Sequence, residues 1–232
     1  MSLEVLYEDN HLIAVNKRSG DITQGDKTGD TPLPDVIQVW LKEKYNKPGN
    51  VFCGVIHRLD RPTTGIVLFA KTSKALARMN EQFQTKTVQK TYWAITEKSS
   101  APASGHLINY LRKDTVKNKS FAFDKEVPES KKAELTYAKI RQSDRYDLFE
   151  ITPKTGRHHQ IRVQLSNIGA IIKGDLKYGA KRSNPDGSIC LHARKLAFTH
   201  PVSKEKIEIV APVPKDDKLW AFFSQEIQTS NF

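Results

Sequence analysis

Cysteine is nearly absent from this 232-residue chain. Cys53 and Cys190 are too few for a disulfide framework and lack the paired spacing of a zinc site, so both are expected to be reduced, buried small residues. No apolar run approaches the length needed to span a bilayer, and the first ten residues carry acids where a secretion signal carries bases, so a cytoplasmic protein is expected. A phosphate-cradling Gly-rich loop and a Gly-flanked serine are both missing, which removes the usual signatures of nucleotide hydrolysis and acyl transfer. His57, His158, His159, His192 and His200 show no recognised metal-ligand spacing with supporting carboxylates. Neither a metal nor any other cofactor is therefore expected. Internal repeats, coiled-coil heptads and an obvious interdomain linker are lacking too.

Basic residues are plentiful. Lys plus Arg number 37 against 26 Asp plus Glu, giving a net charge of +11 and a pI near 9.5. Such an excess favours an anionic partner, nucleic acid first, with acidic lipid surfaces and plain solubility as competing explanations.

Strand signals outnumber helix signals. Residues 5–7 and 12–15 read as short strands around a polar turn, and 20–34, rich in Gly, Asp, Thr and Pro, reads as a long loop. An amphipathic helix over 35–45 would turn Val36, Val39 and Trp40 inward. Apolar runs at 51–56 and 66–70 have the β-branched content of buried strands. A helix over 73–83, capped by Ser73, places Leu76, Met79 and Phe83 on one face. Further strands are expected at 90–95, 135–140, 146–152, 191–198 and 207–210, with a helix through Ile161, Leu165 and Ile168 ended by Gly169. The charged stretch 112–132 reads as an exposed excursion. Hairpin-like clustering predicts an α+β fold with a mixed, largely antiparallel sheet flanked by helices and loops.

Two segments could carry chemistry. His57-Arg58-Leu59-Asp60-Arg61-Pro62-Thr63-Thr64-Gly65 joins two apolar runs, and guanidinium groups beside a carboxylate favour its ionised form. A salt-bridged turn that merely stabilises the loop accounts for the same residues. In Thr155-Gly156-Arg157-His158-His159-Gln160-Ile161-Arg162-Val163, a Gly-led entry into a helix is crowded with donors, which suits phosphate.

Together the segments resemble the pseudouridine synthases of ribosomal and transfer RNA, in the branch containing the bacterial large-subunit enzymes. His57-Arg58-Leu59-Asp60 with Thr63-Thr64-Gly65 is similar to the signature around the catalytic aspartate. Lys90-Thr91-Tyr92-Trp93-Ala94 is similar to the tyrosine-bearing strand, and residues 156–163 to the third motif. Gly174-Asp175, Tyr178-Gly179, Leu191-His192-Ala193, Phe198, His200-Pro201 and Ala211-Pro212 follow in order, so the resemblance spans about residues 5–214. Thr64 stands where Ser is usual, Gln164 where His is usual, and 167–171 replaces a more His- and Pro-rich version, which leaves the RNA target open.

The resemblance implies the pseudouridine synthase fold, with a catalytic cleft across the sheet, as one domain over 1–232 without the small RNA-binding domain that precedes it in many relatives. It implies Asp60 as the essential carboxylate, attacking covalently or removing a sugar proton, Tyr92 stacking on the target base, and Arg162 pairing with the aspartate. It also implies base flipping, with Arg58 entering the gap left in the stack. RNA contacts are expected from His57, Arg157 and Gln160 and from the lysines Lys113, Lys117 and Lys119. Structured ribosomal or transfer RNA is the expected partner; no membrane and no obligatory protein partner are expected. A non-catalytic RNA-binding protein of the same fold, a nuclease and a base-removing glycosidase are the alternatives.

Overall fold

Asp9 sets the first hairpin. Its carboxylate accepts the backbone N–H groups of His11 and Leu12, both at 2.7 Å, an Asx-type turn that reverses the chain. Strand β1 (Val5–Glu8) therefore pairs antiparallel with β2 (Leu12–Lys17). The computed structural model describes residues 3–25 and 29–229; residues 26–28 of the expected 20–34 loop lie outside the described residues.

The chain divides into two compact units, Met1–Gln89 with Ala193–Pro212, and Lys90–His192 with Val213–Phe232. In the first, β2 pairs antiparallel with β4 (Thr64–Ala70), all seven of whose residues are buried. The strand expected at 51–56 shrinks to the two residues of β3 (Gly54–Val55), paired with the end of β4, and Phe52 is exposed. Helix α1 (Leu33–Lys44) starts earlier than expected and buries a different face. Leu33, Ile37 and Leu41, spaced by four, point inward, while Val39 is 57% exposed and Trp40 receives the Lys44 ammonium 4.5 Å from its ring centroid. Helix α2 (Ser73–Gln84) is capped by Thr72 rather than Ser73, the Thr72 hydroxyl accepting from Ala75 N–H at 3.2 Å. Met79 is fully buried on its inner face. Strands β10 (Leu191–Thr199) and β11 (Lys206–Val210) form a further hairpin, the chain crossing from the second unit into the first within β10. Leu12, Ala14, Ile66, Leu68, Met79 and Phe198 lie in the core of this unit.

The second unit is built on antiparallel strands in the order β5 (Gln89–Glu97), β9 (Tyr146–Pro153), β8 (Lys131–Gln142), β6 (Ser104–Asp114), β7 (Lys119–Phe123). The charged stretch 112–132, expected to be an excursion, instead enters the sheet at 112–114, 119–123 and 131–132: β6 pairs with β7 from Tyr110↔Phe123 to Asp114↔Lys119, and with β8. Its buried anchors, Leu111 and Ser120, are sparse among charges, so a period of two is hard to see from composition. Helix α3 (Gln160–Asn167) ends where expected, with Gly169 following at φ +79°. Helix α4 (Lys218–Thr229) was not anticipated; its Trp220 and Phe223 enter the core beside Ile95, Phe149, Ile151 and Leu165. Burying a side chain the size of Phe223 contributes about 1.5–3 kcal/mol. The α+β class is as expected. Both cysteines are buried, and burial pushes their thiols up, to about 12 for Cys53 and about 11 for Cys190. Among the described residues no helix is long and apolar enough to cross a membrane.

Candidate active site

The Asp60 loop hangs from a buried lysine. Lys17, the last residue of β2, is 1% exposed, and its ammonium donates to the carbonyls of Arg18 (2.8 Å), Arg61 (2.9 Å) and Thr63 (2.8 Å). Two of those carbonyls belong to the turn that carries Asp60. Gly20 N–H adds a bond to Arg61 O at 3.0 Å, and Thr63 N–H closes the turn onto Asp60 O at 3.0 Å. Leu59 is buried beneath, so the half-buried Asp60 side chain rises from a backbone held on both sides. Burial pushes the Lys17 ammonium down to about 8, against the opposing attraction of Asp21 and Asp60; Arg61 adds to the fall.

Beyond the loop, Gly65 sits at φ +109°, and a Cβ there would lie 2.4 Å from Ala193 O, so no side chain fits between β4 and β10. Arg58 is exposed and bonds Gln24 Oε1 at 2.9 Å. Arg61 reaches Asp30 at 2.6 Å. His57 is engaged by the fold: its Nε2 accepts Leu68 N–H at 3.1 Å, and its ring stacks on Phe83 at 5.0 Å.

In the second unit Arg162 is the best-held charge. Its Nε and Nη2 donate to the two oxygens of Asp175, each at 2.7 Å, and the Tyr178 ring lies 5.2 Å from its guanidinium carbon. Both charged side chains are almost wholly buried, at 6% and 1% exposure. A bidentate pair of this kind fixes the guanidinium plane as well as its position. Tyr178 is itself fixed, accepting Ser120 N–H at 2.8 Å and meeting His159 Nδ1 at 2.9 Å. His159, left-handed at φ +54° ahead of α3, is pushed down to about 2 by burial first, then by the charges of Arg162, His158, Lys177 and Lys113. It stays neutral near neutral pH and is no proton carrier there.

Gln160 turns inward. At 4% exposure its amide accepts from the Thr155 hydroxyl and Arg157 N–H and donates to Glu134 O, so it shapes the turn. Arg157 is exposed, with Nε on Lys132 O at 3.0 Å. Tyr92, opposite Ile151, packs against the core while staying partly exposed. Lys113 and Lys117 are exposed on the β6–β7 hairpin, and the half-buried Lys119 lies over the rings of Phe121 and Tyr178. At the position where His is usual, Gln164 is fully buried and donates to Asn109 Oδ1 at 2.9 Å.

Sequence reasoning missed Lys17, Asp175 and Tyr178 as supports. A lysine just after the apolar run Leu12–Val15 is a signal for the first; the Gly174-Asp175 and Tyr178-Gly179 pairs stand out in the sequence, but not their contacts with Arg162.

The family model described as RNA pseudouridylate synthase matches residues 11–167. The chain is 34% identical to the tRNA pseudouridine synthase C of Haemophilus influenzae, over 94% of this chain and 95% of that one. It is 32% identical to the ribosomal large subunit pseudouridine synthase C of Vibrio cholerae, over 90% of this chain and 65% of the relative. Among solved structures it is similar to human RNA Pseudouridylate Synthase Domain Containing 4, with a TM-score of 0.76 and 25% identity, covering 91% of this chain and 89% of that chain. A fold of this kind, bearing the motif residues in order within the matched segment, makes this chain a member of the RNA pseudouridylate synthase family.

Proposed function

We propose that this enzyme isomerises uridines in structured transfer or ribosomal RNA with Asp60 as its essential carboxylate. The observation that carries the reading is the anchorage of the Asp60 turn by Lys17, Gly20 and its own Thr63 N–H, since reactive groups need a rigid scaffold. Coverage of almost the whole Haemophilus influenzae tRNA enzyme supports testing transfer RNA first.

The reaction breaks the bond from uracil N1 to the ribose, turns the base, and joins C5 to the same sugar carbon. C5 gives up its proton and N1 ends protonated, so the RNA mass is unchanged and no redox partner enters. Asp60 acts at ribose or base, Tyr92 holds the detached ring, and Arg162 is the fixed positive charge. The target base leaves its stack at a cost of a few kcal/mol, offset by stacking in the enzyme, with Arg58 entering the gap. Exposed Lys113, Lys117 and Arg157 meet phosphates.

The test is tritium release from C5-labelled uridine in an unmodified tRNA transcript. Asp60→Ala is expected to abolish release while RNA affinity stays near wild type. Equal release by the variant would end the Asp60 assignment, and a change in RNA mass would point to a nuclease or glycosidase.

A further inference from the structure

Lys90 lies two residues before Tyr92 on β5, so the two side chains share one face of the strand. Its ammonium comes within 3.9 Å of where a Cβ on Gly156 would stand, which sets it over the exposed backbone of the Thr155–Arg157 turn. The other half-buried lysines of this unit have partners. Lys139 meets Asp147 at 3.0 Å, Lys173 bonds Asn184, Lys177 bonds Asn118 O at 2.8 Å, and Lys119 lies over the Tyr178 ring. Lys90 has no hydrogen bond or ion pair among the described residues. Two carboxylates on neighbouring strands are already committed, Glu134 to Lys154, His106 and Lys132, and Glu150 to the Trp93 indole.

We infer that Lys90 is a substrate-binding residue that takes one backbone phosphate of the RNA strand carrying the target uridine. Burial already lowers its affinity for the proton, with no carboxylate to oppose it, so an incoming phosphate supplies the missing counter-charge. The glycine at 156 leaves the approach to the ammonium free of a side chain. A lysine that merely lays its methylene stem over apolar surface, with its head in water, would need no such anion and would contribute nothing to RNA affinity. The assignment rests on the pseudouridine synthase reading only for the nature of the strand; its readout is binding.

The experiment measures affinity for an unmodified tRNA transcript against salt concentration, for wild type, Lys90→Met and Lys90→Arg, with thermal melts of each protein. Loss of one phosphate contact is expected to make the slope of log affinity against log salt shallower by about 1 in Lys90→Met and to weaken binding most at low salt. Lys90→Arg keeps the wild-type slope. At limiting RNA, pseudouridine formation falls about tenfold in Lys90→Met and recovers at saturating RNA, because a lost phosphate contact acts on binding. An unchanged slope and affinity in a folded Lys90→Met overturns the assignment. If Lys90→Met does not melt cooperatively, Lys90→Gln replaces it, and loss of the fold in both variants overturns it too, since the ammonium would then serve the fold. A wild type that binds with the expected slope yet forms no pseudouridine sinks the proposed function and leaves the Lys90 assignment standing.

Discussion

Replacing Lys17 with Met keeps the aliphatic length and removes the ammonium. Three carbonyls lose a donor: Arg61 O retains Gly20 N–H, the exposed Arg18 is open to water, and Thr63 O is the buried one that loses its bond. Leaving one buried carbonyl without its donor costs about 1–3 kcal/mol. Against this stands the relief of a buried charge: the fall of the Lys17 pKa from 10.5 to about 8 corresponds to about 3 kcal/mol. The two effects nearly cancel, so the stability of Lys17→Met stays within about 2 kcal/mol of wild type. Activity is expected to suffer more, because a turn released by about 1 Å at the carboxylate proposed to react costs on the order of 100-fold in rate.

The two effects separate by pH. The folded pKa lies below the unfolded one, so between about 8 and 10.5 the unfolded chain binds more protons and stability gains from rising pH. Below about 8 the full charge-burial cost is present in the wild type, and through that window it is progressively relieved. Melts from pH 7 to 10.5 should then show the stability difference between wild type and Lys17→Met shift in favour of wild type at the alkaline end, while tritium release at pH 7.5 shows the rate loss. Wild-type turnover by Lys17→Met, or a stability difference that ignores pH across the window, would refute the reasoning.

Asp175→Asn strips the counter-charge from a buried arginine and should destabilise the protein by about 3–5 kcal/mol in urea titrations; Asp175→Leu combined with Arg162→Met should recover much of that stability but not activity. Gly65→Ala forces a methyl group onto the Ala193 carbonyl from a left-handed backbone and should cost more than 4 kcal/mol, read as loss of folded protein or a sharply lower Tm.

Strands with clean alternation or continuous β-branched runs were legible, as was the amphipathic spacing of Met79 in α2. The inward face of α1 was not, because Val39 and Trp40 look more apolar than the Leu33, Ile37, Leu41 stripe that packing selects. The β6–β7 hairpin hid for a related reason: exposed Lys and Arg on paired strands read as loop when the partner strand is unknown. Ordered motifs led to Asp60, Tyr92 and Arg162, yet they did not reveal which groups hold them. Lys17 and Asp175 act through contacts over 44 and 13 residues of chain, and such distances leave no local pattern. Gln160 shows that a polar residue in a donor-rich motif can also hold its own turn together.

Within β10 the chain returns to a unit it left about 100 residues earlier, at Gln89. On the ribosome the opening hairpin and helix α2 thus exist well before the Phe198 and Ile209 that fill their core are translated. At about 5–20 residues per second that wait lasts on the order of 5–20 s, during which apolar surface on β4 lacks its cover. Nascent chains stalled near position 150 should be sensitive to protease and chaperone-bound, and release from both should coincide with emergence of the last strand pair.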